Sequence, residues 1–527
     1  MKSLIGDLLL QRLATARVAV VGAPANRLLY DCLRGAILDG TLLAATRLPP
    51  SRDLARELGL SRNTIVFAYD QLLAEGYVRS RVGSGTFVAE VFPDTYTTVA
   101  PRASTRAHRT ATTTAAAPRH GPNPGAMGVA DLDASSTGPS PALSQRAQGL
   151  LGRISAAPVQ WGAFMPGVPD VTAFPHRRFA QILAQHARSG SPSLRSYATA
   201  GGHPALQRSL ASYLRQARSV NGDAGQILIT EGIHQAIDLV TRLLADPGDA
   251  AWVEDPGYWG TRSILGVNGV EARPMPVDVD GLQIPDATPD DARLKLAFVT
   301  PSHQYPLGCV MSLTRRLALL EAARRRQLWV VEDDYDSEFR FAGQPIPSLQ
   351  GLVDDAPVIY VGTFSKTLYP GLRTAYMVLP PALADTFRAA QMELYRGGHL
   401  MEQAALADFM DSGQYAAHIR RMRILYGARR ARLIALVEER LGPGWIHPFD
   451  SNAGLHLVLS LPAGVSDVAV SAEAGRAGVL VRPLSRYYAT SDAPAGLLLG
   501  FASVPEAAMA APLDKLARCI ERAVKQL

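Results

Sequence analysis

Cysteine is scarce in this 527-residue chain, which contains only Cys32, Cys309 and Cys519. Three thiols that are far apart and odd in number argue against a disulfide framework and favour a reducing compartment. Charged residues make up 19% of the chain, and the net charge of +6 permits an acidic partner without requiring one. A hydrophobic fraction of 47% is typical of a globular protein with a sizeable core.

Long apolar runs are also lacking. No segment approaches the roughly 18 uninterrupted apolar residues that a membrane span needs. The Leu-rich N-terminus is interrupted by Asp7, Gln11 and Arg12 and has no small-residue cleavage site, so it does not predict a signal peptide. We therefore expect a cytoplasmic protein without a membrane partner. At this length the chain is expected to hold more than one domain.

Residues 1–89 have the pattern of a winged helix-turn-helix domain of α+β class. Apolar spacing predicts a helix over 26–38, a second helix with Ser51 as its N-cap, and a third that Ser61 caps and that runs to about Glu75. A Gly-Leu turn joins the last two helices. Two short helices joined by a Gly-containing turn are typical of the helix-turn-helix.

Two short strands, 77–81 and 86–89, are joined by Val-Gly-Ser-Gly, which predicts the hairpin of a wing. In such a unit the second helix enters the major groove with its first residues at the base edges, and nearby arginines meet phosphates. A helix-turn-helix can instead contact protein, and these side chains would then be a solvated face. The candidate DNA-binding residues are Arg52, then Ser61, Arg62, Asn63 and Thr64 at the readout position, and Arg79 or Arg81 on the wing.

Residues 90–158 differ in composition from both flanks. Ala, Thr, Ser, Pro and Gly dominate, and no sustained apolar period remains. Such a segment cannot bury enough surface to offset its ordering entropy, so we predict a flexible, partly extended linker. A tether of this length would let the winged helix dock on a partner subunit.

The most informative stretch of the remaining chain, 159–527, begins with a predicted strand at 358–361. Gly362 is expected to end this strand, and Thr363, Ser365 and Lys366 follow on the turn beyond it. Ligands bind at this end of the strands in open α/β sheets. There a lysine amine can form a Schiff base with an aldehyde cofactor, while the two hydroxyls and Arg373 hold its phosphate.

A second apolar run, 327–331, ends in Glu332-Asp-Asp-Tyr335. A carboxylate at the end of a parallel strand can bond a pyridinium N–H and keep the ring protonated. Tyr335 is placed to bond the phenolic oxygen of such a ring. The alternative is that the two Asp residues are N-caps that open the next helix.

A third strand, 227–230, runs into Glu231-Gly-Ile-His-Gln and then a helix. A glycine-bearing turn of this kind presents backbone N–H groups and the positive end of a helix dipole to an anion. Many such turns bind nothing, so this motif alone has little specificity.

Taken together, Asp333, Tyr335, Thr363-Phe-Ser-Lys366 and Arg373 resemble the site of fold type I aminotransferases, which binds pyridoxal 5′-phosphate. The sequences at 332–340 and 300–308 resemble the MocR branch of the GntR regulators more specifically. In that branch an aminotransferase-like domain is fused to a winged helix, and Leu48-Pro-Pro-Ser-Arg-Asp-Leu-Ala carries the same resemblance. The fold implied for 159–527 is α/β, with a mostly parallel sheet in a large subdomain and a smaller C-terminal subdomain.

The resemblance also implies roles for individual residues. The cofactor phosphate would lie on Gly232, Ile233 and His234, although the family more often has Gln at the last position. Tyr258 would stack on the pyridine ring. Gln304 or His303 would bond the ring oxygen, with an ambiguity of one residue. Lys366 is expected to be catalytic as well as cofactor-binding, and no metal site is predicted. The full set of expected cofactor-binding residues is Gly232, Ile233, His234, Tyr258, Gln304, Asp333, Tyr335, Thr363, Ser365, Lys366 and Arg373.

Ser503 is the main departure from the family pattern. In aminotransferases an Arg at this position pairs bidentately with the substrate carboxylate, and serine supplies neither the fork nor the charge. Arg482 and Arg486 are candidates to replace it, and the sequence alone does not place either of them.

We therefore expect a transcription regulator in which an amine, an amino acid or the cofactor itself is sensed through the aldimine at Lys366. By resemblance it would be a homodimer and would bind double-stranded DNA with two half-sites. One alternative is a working aminotransferase with an appended DNA-binding domain, in which Lys366 also moves the α-proton. A third possibility is an inert dimerisation scaffold with unmodified Lys366.

Overall fold

A computed structural model describes residues 4–19, 25–74, 77–81, 85–89, 143–151, 159–197, 201–342, 346–490 and 493–527. No helix among these residues is both long enough and apolar enough to cross a bilayer.

The N-terminal part forms a winged helix-turn-helix, as predicted. Helix α1, which the sequence pattern did not predict, places Leu9 and Leu13 in the core of this unit, and Arg12 pairs with Asp39 at 2.7 Å. The apolar stripe of the next helix fills the same core, with Leu29, Leu33, Ala36 and Ile37 almost fully buried. The elements are α1 (Leu4–Ala19), α2 (Ala25–Leu38), α3 (Ser51–Leu58), α4 (Arg62–Ala74), β1 (Val78–Arg81) and β2 (Gly85–Val88).

The turn between α3 and α4 depends on local backbone chemistry. Gly59 takes the left-handed conformation (φ 63°), and its N–H bonds the Ala55 carbonyl. The Oγ of Ser61 accepts the Thr64 N–H at 3.2 Å, so the predicted N-cap of α4 is confirmed. The N-cap predicted at Ser51 is wrong, because Pro50 precedes the helix and Ser51 is its first residue.

The two wing strands pair in antiparallel register, from Val78 opposite Val88 to Arg81 opposite Gly85. Residues 82–84, which hold most of the predicted hairpin turn, lie outside the described residues. Arg47 adds a bridge to Phe87 on the edge of this pair.

Most of the predicted linker, 90–142 and 152–158, also lies outside the described residues. Within it stands a short helix, α5 (Gln145–Leu151), where no regular structure was predicted. Its start is capped by the Ser144 Oγ, which accepts the Ala147 N–H at 3.2 Å.

The large subdomain is an eight-stranded mixed sheet with helices on both faces. The strands run in the spatial order β3-β10-β9-β8-β7-β4-β5-β6, and β9, β8, β7, β4 and β5 are parallel to one another. The strands are β3 (Ile227–Thr230), β4 (Ala250–Asp255), β5 (Glu271–Asp278), β6 (Gly281–Leu282), β7 (Leu294–Val299), β8 (Trp329–Asp334), β9 (Val358–Thr363) and β10 (Ala375–Val378). The helices are α6 (His176–Ser189), α7 (Pro204–Arg218), α8 (Ile233–Leu244), α9 (Trp259–Val267), α10 (Leu313–Arg326), α11 (Pro381–Tyr395), α12 (Leu400–Asp411) and α13 (Gln414–Leu441). The prediction of a mostly parallel sheet is confirmed.

One local prediction in this sheet and one alternative to a prediction were wrong. Gly362 does not end β9, which continues through Thr363; a side chain at Gly362 would meet the Tyr376 ring, because a Cβ there would lie 2.5 Å from ring atoms. Strand β8 continues through Asp334 and no helix follows, so neither Asp is a helix N-cap. Beyond Lys366, β10 precedes α11 and pairs antiparallel with both β3 and β9.

The small subdomain is an antiparallel three-stranded sheet in the order β11-β13-β12, covered by helices. The segment before α6 joins it through a bridge between Ala163 and Val479. Its elements are β11 (His456–Ser460), α14 (Asp467–Arg476), β12 (Arg482–Pro483), β13 (Gly496–Gly500) and α15 (Ala510–Val524).

Candidate functional site

The site is built at the carboxyl ends of the parallel strands. Strand β9 delivers Lys366, whose Nζ donates to the Gly167 carbonyl at 2.8 Å. Burial lowers the pKa of the Lys366 amine, and the negative charges of Asp336 and Asp333 oppose that shift. A lowered pKa increases the fraction of the unprotonated amine, which is the nucleophilic form.

Asp333 lies at the end of β8, beside the strand that leads to Lys366. Its Oδ1 is buried and has no hydrogen-bond partner among the described residues. Burial, followed by the charges of Asp334 and Glu254, raises the pKa of Asp333 to about 7, while Lys366 acts in the opposite direction. An unpartnered buried carboxylate oxygen is costly. It fits a group that brings its own N–H, as a pyridinium ring does.

Asp334 faces the other side of β8, since side chains alternate along a strand. Its Oδ2 accepts hydrogen bonds there from the Arg218 Nε and from the Tyr360 hydroxyl, both at 2.6 Å. The neighbouring acid is thus structural, and only Asp333 is available to the site.

The start of α8 forms a second part of the site. Gly232 has φ 97°, and a Cβ there would lie 2.9 Å from the Arg373 guanidinium. That guanidinium donates to the Glu231 carbonyl at 2.8 Å. Backbone N–H groups of a helix start beside a guanidinium suit a phosphate group. Gly232, Ile233, His234 and Arg373 are thus brought together at the start of α8, and their phosphate-binding role stays a prediction.

His234 and Tyr258 are hydrogen-bonded, with 2.7 Å between His234 Nε2 and the tyrosine Oη. Burial lowers the pKa of His234, and the positive charge of Arg373 adds to this shift. Burial raises the pKa of Tyr258. Tyr258 ends the loop after β4 and thereby ties that loop to the start of α8.

Of the two hydroxyl residues before Lys366, Thr363 ends β9 and Ser365 lies on the turn that follows. Thr363 Oγ1 accepts the Ser365 N–H at 3.1 Å, which holds the turn that presents Lys366. Tyr335 follows β8, and its hydroxyl is 2.8 Å from His303 Nδ1, which is also 3.0 Å from Asp336 Oδ1.

The geometry gives Gln304 a different role from the predicted one. Its amide nitrogen donates to the carbonyls of Pro256 and Tyr305, both at 2.8 Å, and its Oε1 accepts the Leu307 N–H at 3.0 Å. Both ends of the side chain therefore hold the loop. No polar atom is left to reach a ring oxygen without breaking these bonds.

Tyr305 is the residue of this loop that the sequence reasoning missed. Its ring packs edge-on against Tyr258 and Tyr335, with centroids 6.0 and 5.6 Å apart, and its hydroxyl is 3.0 Å from that of Tyr487. In the sequence Tyr305 directly follows His303 and Gln304, where the assignment was ambiguous by one residue. That ambiguity was the signal that could have drawn attention to it.

The predicted DNA-binding residues lie on α3, at the start of α4 and on β1 of the winged helix. Arg62 and Asn63 are exposed at the start of α4, while the hydroxyls of Ser61 and Thr64 are 2.9 Å apart and engaged with each other. Arg52 on α3 and Arg79 on β1 are exposed; Arg81 lies in β1, and its side chain is outside the described set. Arg47, which the sequence analysis did not select, is also exposed beside the wing.

Residues 26–88 match the bacterial regulatory proteins of the gntR family, and residues 173–516 match aminotransferase class I and II. The chain is 40% identical to the probable rhizopine catabolism regulatory protein MocR of Rhizobium meliloti, over 94% of this chain and 93% of that protein. It is 31% identical to the pyridoxine biosynthesis transcriptional regulator PdxR of Corynebacterium glutamicum, over 91% and 92% of the two chains. The crystal structure of Pyrococcus horikoshii kynurenine aminotransferase superposes with a TM-score of 0.63 at 26% identity, covering 72% of this chain and 95% of that one.

Proposed function

This chain belongs to the MocR type of GntR-family transcription regulators, and we propose that it senses a primary amine at its cofactor. Regulators of this type join a DNA-binding winged helix to an aminotransferase-like domain. The cofactor of that domain is pyridoxal 5′-phosphate. When bound, the cofactor supplies an aldehyde that exchanges between the lysine and an incoming amine. The protein residues hold the cofactor and change their contacts when the amine enters.

The observation that carries this proposal is the unpartnered Oδ1 of Asp333 beside the desolvated amine of Lys366. In the proposed arrangement Lys366 bonds the cofactor aldehyde, and Asp333 accepts the ring N–H. The start of α8 at Gly232, Ile233 and His234, together with Arg373, Thr363 and Ser365, holds the phosphate. Tyr258 would pack against the ring, and Tyr335 would contribute a hydroxyl near the ring oxygen.

The effector would act by altering the arrangement of two subunits relative to each other. We propose a homodimer whose two winged helices bind two half-sites, with Arg62 and Asn63 reading bases. Arg52, Ser61, Thr64, Arg79 and Arg81 are proposed as further DNA contacts, largely to the phosphate backbone. A DNA-binding regulator acts in the compartment that contains the chromosome, which supports a cytoplasmic location.

Catalysis of amino-group transfer is the competing proposal, because a lysine that exchanges with an amine at the cofactor would also be able to accept a proton from that amine. Ser503 argues against it. The residue lies in the turn after β13 and offers a hydroxyl in place of a guanidinium. Regulated DNA binding without turnover is therefore the function we favour.

The test uses purified full-length protein, wild type beside Lys366→Ala, each mixed with pyridoxal phosphate. We expect a visible absorption band of lysine-bound cofactor in the wild type only, and a shift of that band and of DNA affinity when amines are titrated. Two colourless proteins would overturn the cofactor role of Lys366. Sustained keto-acid-dependent turnover in the wild type would favour the aminotransferase instead.

A further inference from the structure

Tyr335 joins two buried side chains, His303 and Asp336, in one hydrogen-bonded group. His303 Nδ1 is 2.8 Å from the Tyr335 hydroxyl and 3.0 and 3.2 Å from the two carboxylate oxygens of Asp336. The His303 and Asp336 side chains are only 3% and 1% exposed, so water does not compete for these contacts. The proposed function uses the Tyr335 hydroxyl and gives the two residues behind it no role.

This group lies at the same edge of the sheet as Lys366. Strands β8 and β9 are parallel neighbours, and Asp334 at the end of β8 lies opposite Gly362. Asp336 and Lys366 each follow within three residues of the end of their strand, so both stand at the carboxyl edge of the sheet. The negative charge of Asp336 accordingly acts on the Lys366 amine, and it does so more strongly than that of Asp333.

Two glycines let the backbone approach the His303–Asp336 pair closely. Gly454 has φ 76°, and a Cβ there would overlap the His303 ring and lie 2.8 Å from Asp336 Oδ2. Gly308 has φ 88°, and a Cβ there would lie 3.3 Å from His303 Nε2. Glycine adopts such a backbone conformation without strain and leaves room for the imidazole. The close packing holds the ring in the orientation that points Nδ1 at Asp336.

The carboxylate decides where the protons of this group lie. A negative charge beside the lone pair of an unprotonated ring nitrogen is unfavourable, so His303 Nδ1 carries a proton and donates it to Asp336. The Tyr335 oxygen, 2.8 Å from that N–H, is then an acceptor, and its own O–H is left to donate to a ligand. Burial, followed by the charge of Asp336, raises the pKa of Tyr335 well above its ordinary value, so this hydroxyl keeps its proton.

The other titratable groups around the cluster preserve this arrangement. The ring of His456 has its centroid 5.5 Å from that of His303, and burial, followed by the proximity of His303, lowers the pKa of His456 to about 4. His456 is therefore uncharged at neutral pH. The ring of Tyr305 lies 5.6 Å from that of Tyr335, and burial raises the pKa of Tyr305 well above its ordinary value. The remaining charged groups that act on the cluster are Asp333, Glu254 and Lys366.

We propose that His303 and Asp336 are positioning residues that hold the Tyr335 hydroxyl as a donor to the ring oxygen of the cofactor. In the lysine-bound cofactor that oxygen shares a proton with the adjacent nitrogen. A donor that stabilises the negatively charged oxygen favours loss of this proton, so the pair sets the pH at which the absorption band of the bound cofactor changes. This inference rests on the proposed function, in which the cofactor is bound to Lys366.

The test measures the pH midpoint of that band in full-length, cofactor-loaded protein. Tyr335→Phe removes the hydroxyl and should raise the midpoint by about one pH unit, the size expected from one hydrogen bond. His303→Leu and Asp336→Asn should shift the midpoint in the same direction. If Asp336 acted only as a charge, Asp336→Asn would lower the midpoint instead, because a nearby negative charge favours the protonated nitrogen. In a Tyr335→Phe background neither substitution should raise the midpoint further.

Glu338→Gln is the matched control. Glu338 follows Asp336 by two residues and accepts a hydrogen bond from the Tyr213 hydroxyl at 3.1 Å, so its neutralisation should leave the midpoint unchanged. Asp336→Asn keeps the shape of the side chain and decides the question if His303→Leu does not fold.

The inference is overturned if Asp336→Asn leaves the midpoint unchanged or lowers it, if its effect persists in the Tyr335→Phe background, or if Glu338→Gln raises the midpoint as much. In each of these cases a wild-type band that still shifts with amines leaves the proposed function standing. Absence of the band in the wild type overturns that function itself.

Discussion

His234 and Tyr258 join the start of α8 to the loop after β4 through a 2.7 Å hydrogen bond beside Arg373. The bond lies where the proposed phosphate site meets the proposed ring site. Because burial and Arg373 lower the pKa of His234, the imidazole is uncharged at neutral pH and links the two parts without adding a second positive charge.

A pH dependence follows from this pair. With a depressed pKa for His234 in the folded state, the unfolded chain binds the proton first as pH falls below about 6.5, so acid destabilises the folded apoprotein. His234→Gln keeps a polar partner for Tyr258 and removes this titration. We expect the melting temperature of the wild type to fall relative to that of His234→Gln between pH 7 and pH 5. Parallel curves for the two proteins would contradict the lowered pKa.

Substitution of Asp333 should have opposite effects on the stability of the apoprotein and on its affinity for the cofactor. Its pKa of about 7 means that ionisation is unfavourable in the folded apoprotein, so stability is lost as pH rises from about 4 toward 7. Asp333→Asn removes that cost and should stabilise the apoprotein at pH 8 by about 1–2 kcal/mol. It should also weaken cofactor binding, because an uncharged amide does not stabilise a ring N–H cation. Calorimetry and absorbance titration measure the two effects, and a loss of both stability and affinity would count against the assignment.

Substitution of Gly232 tests the proposed phosphate site. Gly232→Ala would place a Cβ 2.9 Å from the Arg373 guanidinium at a φ of 97°. We expect the apparent dissociation constant for pyridoxal phosphate to rise about tenfold or more, since displacement of Arg373 removes a charge-assisted contact. Gly248→Ala is the matched control, because Gly248 has φ 99° and nothing within 4 Å of its would-be Cβ. Equal losses in the two variants would show backbone strain rather than a phosphate contact.

The proposed role of α4 in base readout can be tested by comparing how different substitutions weaken DNA binding. Asn63→Ala should weaken binding to a selected operator by about 1–3 kcal/mol and relax base preference at one position of each half-site. Arg79→Ala should weaken binding to all sequences alike and reduce the salt dependence by about one counterion. Arg432→Ala removes an exposed arginine on α13 and is the control for charge alone. If all three variants behave identically, the assignment of α4 to base readout is wrong.

Local sequence patterns determined much of this protein. The turn at Gly59, the cap at Ser61 and the glycine at the start of α8 are set by residues a few positions apart, so the chain order alone reveals them. The same holds for Lys366, which follows directly on an apolar strand. These elements, and the family to which their motifs belong, were predicted correctly.

Tertiary structure decided the rest, because side-chain direction and partners depend on distant residues. Asp333 and Asp334 are adjacent acids, and only the pairing of Asp334 with Arg218 and Tyr360 leaves Asp333 to the site. Gln304 is held by its own loop while Tyr305 faces the pocket, a distinction that spacing did not resolve. The meeting of Arg373 with Gly232 likewise arises from the pairing of β10 with β3, which brings together the segments beside these two strands.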